Sequence, residues 1–273
     1  MGEIIDGRKM REAILSELAE RVRKEALEPK LAIVQVGDDA ASSRYIEQKR
    51  KAAEEIGSSI TLYHLSPETT FPELKRLIAK LNRDKSTHGI IVQLPLPAQL
   101  DEEKVGGLIL ETKDVDGFRS ESPFPPATPT AILEILEREG VGLRGKVIAI
   151  VGAGKLVGEP LYEILLKKKE IKELISVDIN SPKPLGFYTK QADILVSAVG
   201  KPNLIKAKML KPGVAIVDAG ISVDQEGKLA GDVDFENAKT VASKITPVPG
   251  GVGPMTVAML LKNLVEAAAE AKN

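Results

Sequence analysis

Short runs rich in β-branched residues recur along the chain, and longer stretches with apolar residues at helical spacing lie between them. The runs are Leu31 to Gly37, Ile60 to Leu65, Gly89 to Leu94, Val147 to Gly152, Leu174 to Ile179, Ile194 to Gly200 and Val214 to Gly220. The helical stretches are Met10 to Lys24, Tyr45 to Ile56, Leu74 to Leu81, Ala131 to Glu139, Glu159 to Lys168 and Met255 to Ala269. Strands separated by helix-length connections predict parallel sheets, and so an α/β fold. Most of the runs lack polar alternation, as expected where helices cover both faces of a sheet.

Two seams interrupt the rhythm. Arg119-Ser-Glu-Ser-Pro-Phe-Pro-Pro-Ala-Thr-Pro129 is too proline-rich to continue a helix or a central strand and reads as a linker. Thr246-Pro-Val-Pro-Gly-Gly-Val-Gly-Pro254 precedes one long apolar helix that would return to the first domain. The 273 residues therefore divide into two α/β domains with a cleft between them, residues 1–120 with 253–273 and residues 121–252, the second a Rossmann-like parallel sheet. There is no internal repeat and no low-complexity tract.

Composition removes several function classes. The 38 Lys and Arg nearly balance 39 Asp and Glu, so no overall field draws the chain to nucleic acid or to an anionic membrane. Aromatic residues make only 3% of the chain, too few for a base-stacking platform. No cysteine is present and the only histidines are His64 and His88, which leaves no thiolate chemistry and no predicted metal site. Both histidines read as structural. A charged N-terminus without a secretory pattern, and no apolar window long enough to span a bilayer, make the cytoplasm the expected location.

After the buried run Val147 to Val151 comes Gly152-x-Gly154-x-x-x-Gly158 and a helix start, where glycines permit a tight turn and close approach of backbone to a pyrophosphate. A plain strand-to-helix turn is the alternative. Asp178 ends the next predicted strand, 26 positions after Gly152, near where an acid accepts from ribose hydroxyls. A solvated turn with Asn180, Ser181 and Pro182 is the alternative.

In Ala41-Ser-Ser-Arg-Tyr-Ile-Glu-Gln-Lys-Arg50, Ser42 or Ser43 is the expected helix cap, and Tyr45 and Lys49, four apart, share one face. A lysine that exchanges protons near neutral pH needs burial or positive neighbours, and Arg44, Arg50 and Lys51 are on the same helix. The competing reading is a solvated face. The pair precedes the glycine loop by about a hundred residues, unlike the Tyr-x-x-x-Lys of short-chain dehydrogenases, so a separate domain must present it at the cleft.

Longer motifs resemble those of the bifunctional methylenetetrahydrofolate dehydrogenase/cyclohydrolase family. They are Ser42-x-x-Tyr45-x-x-x-Lys49 with Gly57, Gly89-Ile-Ile-Val-Gln-Leu-Pro-Leu-Pro97, Lys113-Asp-Val-Asp-Gly-Phe118, Gly145 to Pro160, Ala192 to Pro202, Gly231-Asp-Val-Asp234 and Thr246 to Thr256. They stand in family order over nearly the whole chain. The resemblance implies that the first domain is the catalytic, folate-binding one, with Lys49 transferring protons, Tyr45 positioning the folate, Gln93 tuning Lys49 and Asp116 holding the pterin. It adds Leu94, Pro95, Gly250, Gly251 and Pro254 on the folate side. For the dinucleotide it implies Gly152, Ala153, Gly154, Lys155, Val157, Gly158, Asp178, Val199, Gly200, Ile221 and Thr256. By local sequence alone, Asp116 fits an Asp-Gly turn, Gln93 a strand-edge amide, and Pro254 with Thr256 an ordinary helix start.

The implied reaction is oxidation of 5,10-methylenetetrahydrofolate by NADP or NAD, followed by hydrolysis to 10-formyltetrahydrofolate, in a homodimer. Three departures from the family pattern matter. Gly152-Ala-Gly-Lys-Leu-Val-Gly-Glu-Pro160 stands where relatives write Gly-Arg-Ser-x-x-Val-Gly-x-Pro, and Asp178 falls where relatives carry His-Ser near the adenosine phosphate. An aspartate there repels a phosphate, with Lys155 as a counterweight, so the sequence leans to NAD where the family leans to NADP. The segment after Phe118 is also short, and reads Pro126-Ala-Thr-Pro129 in place of Pro-Cys-Thr-Pro. Two other functions compete: a dehydrogenase of a different small substrate, which would need an arginine clamp that these motifs lack, and a dinucleotide-sensing module without catalysis.

Overall fold

The computed structural model describes residues 1–224 and 226–272. In chain order the elements are β1 Glu3–Ile4, α1 Gly7–Lys24, β2 Lys30–Val36, α2 Ala40–Glu55, β3 Ser59–Leu65, α3 Phe71–Arg83, β4 Gly89–Val92, α4 Glu102–Gly106 and α5 Ala127–Arg138. There follow β5 Val147–Val151, α6 Gly158–Leu166, β6 Glu173–Val177, α7 Leu185–Thr189, β7 Ile194–Ser197, β8 Ala215–Asp218, β9 Ser222–Val223, β10 Leu229–Ala230, α8 Phe235–Ala238, β11 Lys244–Ile245 and α9 Val252–Lys272. The chain packs as two compact units, Glu12–Ala127 with Val257 onward, and Met1–Arg11 with Thr128–Thr256. They are called here the Lys49 unit and the glycine-loop unit.

The Lys49 unit is built on a parallel sheet of order β3-β2-β4, paired from Lys30↔Ser59 to Val36↔Leu65 and from Leu31↔Gly89 to Val34↔Val92. The central strand buries every residue from Leu31 to Val36, as a β-branched run without polar alternation requires. One face packs on Leu74, Ile78 and Leu81 of α3, spaced four and three apart to make one stripe. That helix starts where the Glu73 carboxylate accepts from the Thr70 amide at 2.8 Å, so an otherwise orphaned N–H is satisfied. A buried asparagine on α9 ties two loops of this unit together: Asn263 Nδ2 donates to the carbonyls of Val115 and Pro125, both at 2.9 Å.

The glycine-loop unit holds a six-stranded sheet of order β1-β11-β8-β7-β5-β6, parallel throughout, with a separate β9–β10 hairpin. From β5 the chain goes to β6 on one side and returns to β7 on the other. Such a reversal opens a crevice beyond the carboxyl ends of the strands, the usual ligand position in open α/β sheets. Its core is formed by Ala149, Val151, Leu195, Ile216 and Ile245 with their neighbours.

Three sequence expectations are corrected. The first eleven residues were assigned to the first domain, yet they belong with the glycine-loop unit. There β1 pairs in parallel with β11, Glu3↔Lys244 and Ile4↔Ile245; a two-residue strand has no periodicity to read. The linker through Pro129 is shorter than expected because α5 already begins at Ala127, and proline in a first helical turn gives up no needed hydrogen bond. The boundaries therefore fall at Ala127 and Thr256 in place of 120 and 252. Among the described residues, no helix is long and apolar enough to cross a membrane, and no group of three or more His, Asp or Glu is placed to hold a metal.

Asn263→Ala leaves the Val115 and Pro125 carbonyls without their buried donor. It is expected to lower unfolding free energy by about 2 kcal/mol in a denaturant titration; an unchanged midpoint would show that the two carbonyls find other partners.

Candidate active site

Helix α2 begins at an aspartate. Asp39 Oδ1 accepts from the Ser42 amide, which holds the Asp39 carboxyl below its ordinary pKa. The expected Ser42 or Ser43 cap is thus one turn too late. Ser42 is instead buried, and its hydroxyl donates to the Leu94 carbonyl at 3.0 Å. This bond fixes the start of α2 against the loop that follows β4.

Tyr45 and Lys49 lie on the inner face of that helix. Lys49 is only 4% exposed, which excludes the solvated face as its setting. Its ammonium donates to Gln93 Oε1 at 3.1 Å and sits 4.8 Å from the centroid of the Tyr45 ring. Burial drives the lysine pKa below its ordinary value, and the Asp116 charge opposes that shift. The positive neighbours expected to do this act elsewhere: Arg44 acts on Asp39, Arg50 bonds Glu47 and Glu54, and Lys51 lies near Glu47. Desolvation is the operative cause. The Tyr45 hydroxyl is held above its usual range by burial and then by Asp116, and so stays protonated.

Gln93 is fixed at both ends. Its backbone N–H donates to Val34 at 2.8 Å, and its side-chain N–H donates to the Leu94 carbonyl at 2.9 Å. The amide therefore presents its oxygen, not its nitrogen, to Lys49. The Leu94 carbonyl receives both Ser42 and Gln93, at a cis Leu94–Pro95 peptide.

Asp116 is near enough for its charge to act on both Tyr45 and Lys49. Its loop is shaped by a residue that sequence reasoning passed over. Asp114 is buried, and its carboxylate accepts from the amides of Phe118 at 3.2 Å and Arg119 at 2.8 Å. Gly117 turns the chain between them at φ +65°, where a methyl group would stand 2.6 Å from Pro126 N. Tyr45, Lys49, Gln93 and Asp116 are thus brought together in one unit.

The predicted dinucleotide residues lie in the other unit, most of them at the carboxyl ends of β5, β6, β7 and β8. Gly152 leaves β5 at φ +101°, with no room for a side chain against the Ala198 carbonyl. A methyl group at Gly158 would overlap the Gly152 carbonyl oxygen, whereas around Gly154 there is open space within 4 Å. The first and last glycines therefore fold the loop, and the middle one leaves its backbone approachable. Ala153, Gly154 and Lys155 are exposed, as are Gly200 and Ile221, while Val157 and Val199 are half-buried. Asp178 is exposed just after β6, its carboxylate accepting from Asn180 N at 2.9 Å and Ser181 Oγ at 3.2 Å. Gly250, at φ +114°, and buried Gly251 lead into α9, and Pro254 lies in its first turn. Thr256 shares a 3.2 Å hydroxyl contact with Thr128 and also reaches the Val252 carbonyl at 3.3 Å. These four fall in the glycine-loop unit and not with Lys49.

Residues 5–116 match the family model described as tetrahydrofolate dehydrogenase/cyclohydrolase, catalytic domain, and residues 126–272 match its NAD(P)-binding domain. The chain belongs to the tetrahydrofolate dehydrogenase/cyclohydrolase family. Among curated members of this family, it is 45% identical to the bifunctional protein FolD of Halothermothrix orenii, over 98% of each chain. Among solved members, the Campylobacter jejuni bifunctional enzyme FolD superposes with a TM-score of 0.93 at 41% identity, over 99% of each chain. The Trypanosoma brucei methylenetetrahydrofolate dehydrogenase-cyclohydrolase, solved with NADP cofactor and an inhibitor, gives 0.93 at 33% identity, over 100% of this chain and 99% of that one. The NAD(P)-binding model and the glycine geometry agree on a nicotinamide dinucleotide as the cofactor class.

The last and the middle glycine of the loop make a testable contrast. In protein without dinucleotide, Gly158→Ala is expected to cost at least about 1–3 kcal/mol of stability through overpacking, and Gly154→Ala less than about 0.5 kcal/mol. Paired thermal melts check this, and equal melting temperatures would contradict the loop geometry.

Proposed function

We propose that this protein oxidises 5,10-methylenetetrahydrofolate to the 5,10-methenyl compound with a nicotinamide dinucleotide and hydrolyses that product to 10-formyltetrahydrofolate, with Lys49 as the proton-transferring residue. The observation that carries the reading is the buried Lys49 ammonium on Gln93 Oε1, with the Tyr45 ring and the Asp116 charge in reach. The dinucleotide, when bound, accepts the hydride.

Family membership and the local chemistry support each role. Asp116 is a carboxylate able to accept two parallel hydrogen bonds from the amino group and ring N–H of a pterin. Tyr45, kept protonated, supplies a flat face and a neutral hydroxyl for positioning the folate. Lys49, whose pKa burial lowers, takes a proton from water as the water adds to the methenyl carbon. The resulting ammonium returns that proton to the ring nitrogen as the carbon–nitrogen bond opens, and the carbinol hydroxyl releases its remaining proton to solvent as its oxygen becomes the formyl oxygen. Gln93 holds the amine in place in both protonation states, since its oxygen accepts from –NH2 and –NH3+ alike.

For the dinucleotide we favour NAD. Asp178 stands exposed after the strand beside β5, where a carboxylate accepts from ribose hydroxyls and repels a 2′-phosphate. The family resemblance further supports a homodimer in the cytoplasm.

Lys49→Ala is expected to reduce methenyl hydrolysis by roughly 10²-fold or more; undiminished hydrolysis would remove Lys49 from this role. The Asp116 charge raises the Lys49 pKa, so Asp116→Asn lowers that pKa further. The rising limb of kcat against pH for hydrolysis, taken at saturating substrate, should then move to lower pH; a limb that stays or moves up contradicts the assignment. Asp178→Ser should raise kcat/KM with NADP by about fivefold, the factor that about 1 kcal/mol of charge repulsion represents, and an unchanged NAD-to-NADP ratio would end the case for Asp178.

A further inference from the structure

Two buried carboxylates lie in the glycine-loop unit, and neither belongs to the site described above. Asp232 is fully buried and Asp218 is 3% exposed. Asp218 ends β8, and Asp232 lies in the segment between β10 and α8.

Every partner of both groups is a donor. Asp232 Oδ2 accepts from Ser197 Oγ at 2.7 Å and from the Val199 amide at 2.6 Å, and its Oδ1 accepts from the Lys201 amide at 2.8 Å. Asp218 Oδ1 accepts from the amides of Gly220 at 3.0 Å and Asp232 at 3.2 Å, and its Oδ2 from Val233 N at 2.8 Å. Thr246 Oγ1 in turn accepts from the Asp218 amide at 2.7 Å. One carboxylate thus gathers the loop after β7, while the other holds the turn after β8 and the very backbone that carries the first.

The two segments interlock through their glycines. A methyl group on Gly220 would overlap the Asp232 carboxylate, and one on Gly231 would overlap Asp218 Oδ2. Each carboxylate occupies the space that a side chain on the other's segment would need. Burying two like charges together is costly; the Asp218 carboxyl is pushed up to about 7 by burial and by Asp232 against three backbone donors.

The loops so held are the ones that the strand order places at the crevice. The Ala198 carbonyl is the atom against which Gly152 makes its turn, and Val199, Gly200 and Ile221 follow directly from β7 and β8. We propose that Asp232, braced by Asp218, is a positioning residue for the dinucleotide: it sets the backbone after β7 and β8 from beneath, without contacting the ligand itself. This rests on the reading of the Gly152 loop as the dinucleotide site.

Asparagine at 232 is nearly isosteric, yet its amide NH2 must face either the Lys201 N–H or the Ser197 and Val199 donors, so one set of bonds is lost. The test is isothermal titration of NAD and NADP into the full-length parent, Asp232→Asn and Ser197→Ala proteins, alongside methenyl hydrolysis without dinucleotide. Asp232→Asn should weaken the preferred dinucleotide at least tenfold and Ser197→Ala about threefold, while hydrolysis stays within twofold of the parent. Should Asp232→Asn fail to fold, Ser197→Ala decides alone. Parent-like affinity in the variant that folds, or hydrolysis falling in step with affinity, overturns the positioning role. A parent that binds neither dinucleotide overturns the Gly152 reading on which it stands.

Discussion

An ammonium group taken out of water must be compensated or give up its proton, and the Lys49 unit holds its lysine between those outcomes. Burial favours the neutral amine, the Tyr45 ring and the Asp116 charge favour the cation, and the Gln93 oxygen holds either form in place. Much of the surrounding architecture serves this balance. The Leu94 carbonyl binds the start of α2 to the Gln93 amide, so donor and acceptor are set by one atom. Asp114 and Gly117 fold the loop that brings Asp116 within electrostatic range.

In the glycine-loop unit the same physics runs with the opposite sign. Two buried carboxylates are kept in place by backbone N–H groups, and the chain carries glycine wherever those groups need space. One unit thus stores a basic group and the other an acidic pair, each held by hydrogen bonds and not by salt bridges. Surface ion pairs such as Arg50 with Glu47 and Glu54 are present but exposed, and pairs of that kind add little.

Much of the fold was legible because parallel strands between helices announce themselves as unbroken β-branched runs; all seven predicted runs overlap a strand. The two-residue strands β1, β9, β10 and β11 were not, since pairing partners and not local pattern create them. Tyr45 and Lys49 were found by spacing, but the burial that separates a poised lysine from a solvated one comes from β4 and its following loop, far away in sequence. Asp114 and Asp232 were quoted within motifs and still passed over, because an aspartate in a glycine-containing loop looks like a solvated turn until the donors around it are seen. A second acidic residue two positions from a candidate, as in Asp114 and Asp116 or Asp232 and Asp234, is the one local signal available.

The Lys49 unit is discontinuous: after Ala127 the chain leaves it, and returns only at Val257. Asn263, which fastens the backbone on either side of the Asp116 loop, belongs to the returning segment. On a ribosome, then, the first strands emerge long before the helix that completes their packing. A nascent chain of this protein carries a half-finished Lys49 unit while the whole glycine-loop unit is translated, and its apolar strands stay uncovered through that interval.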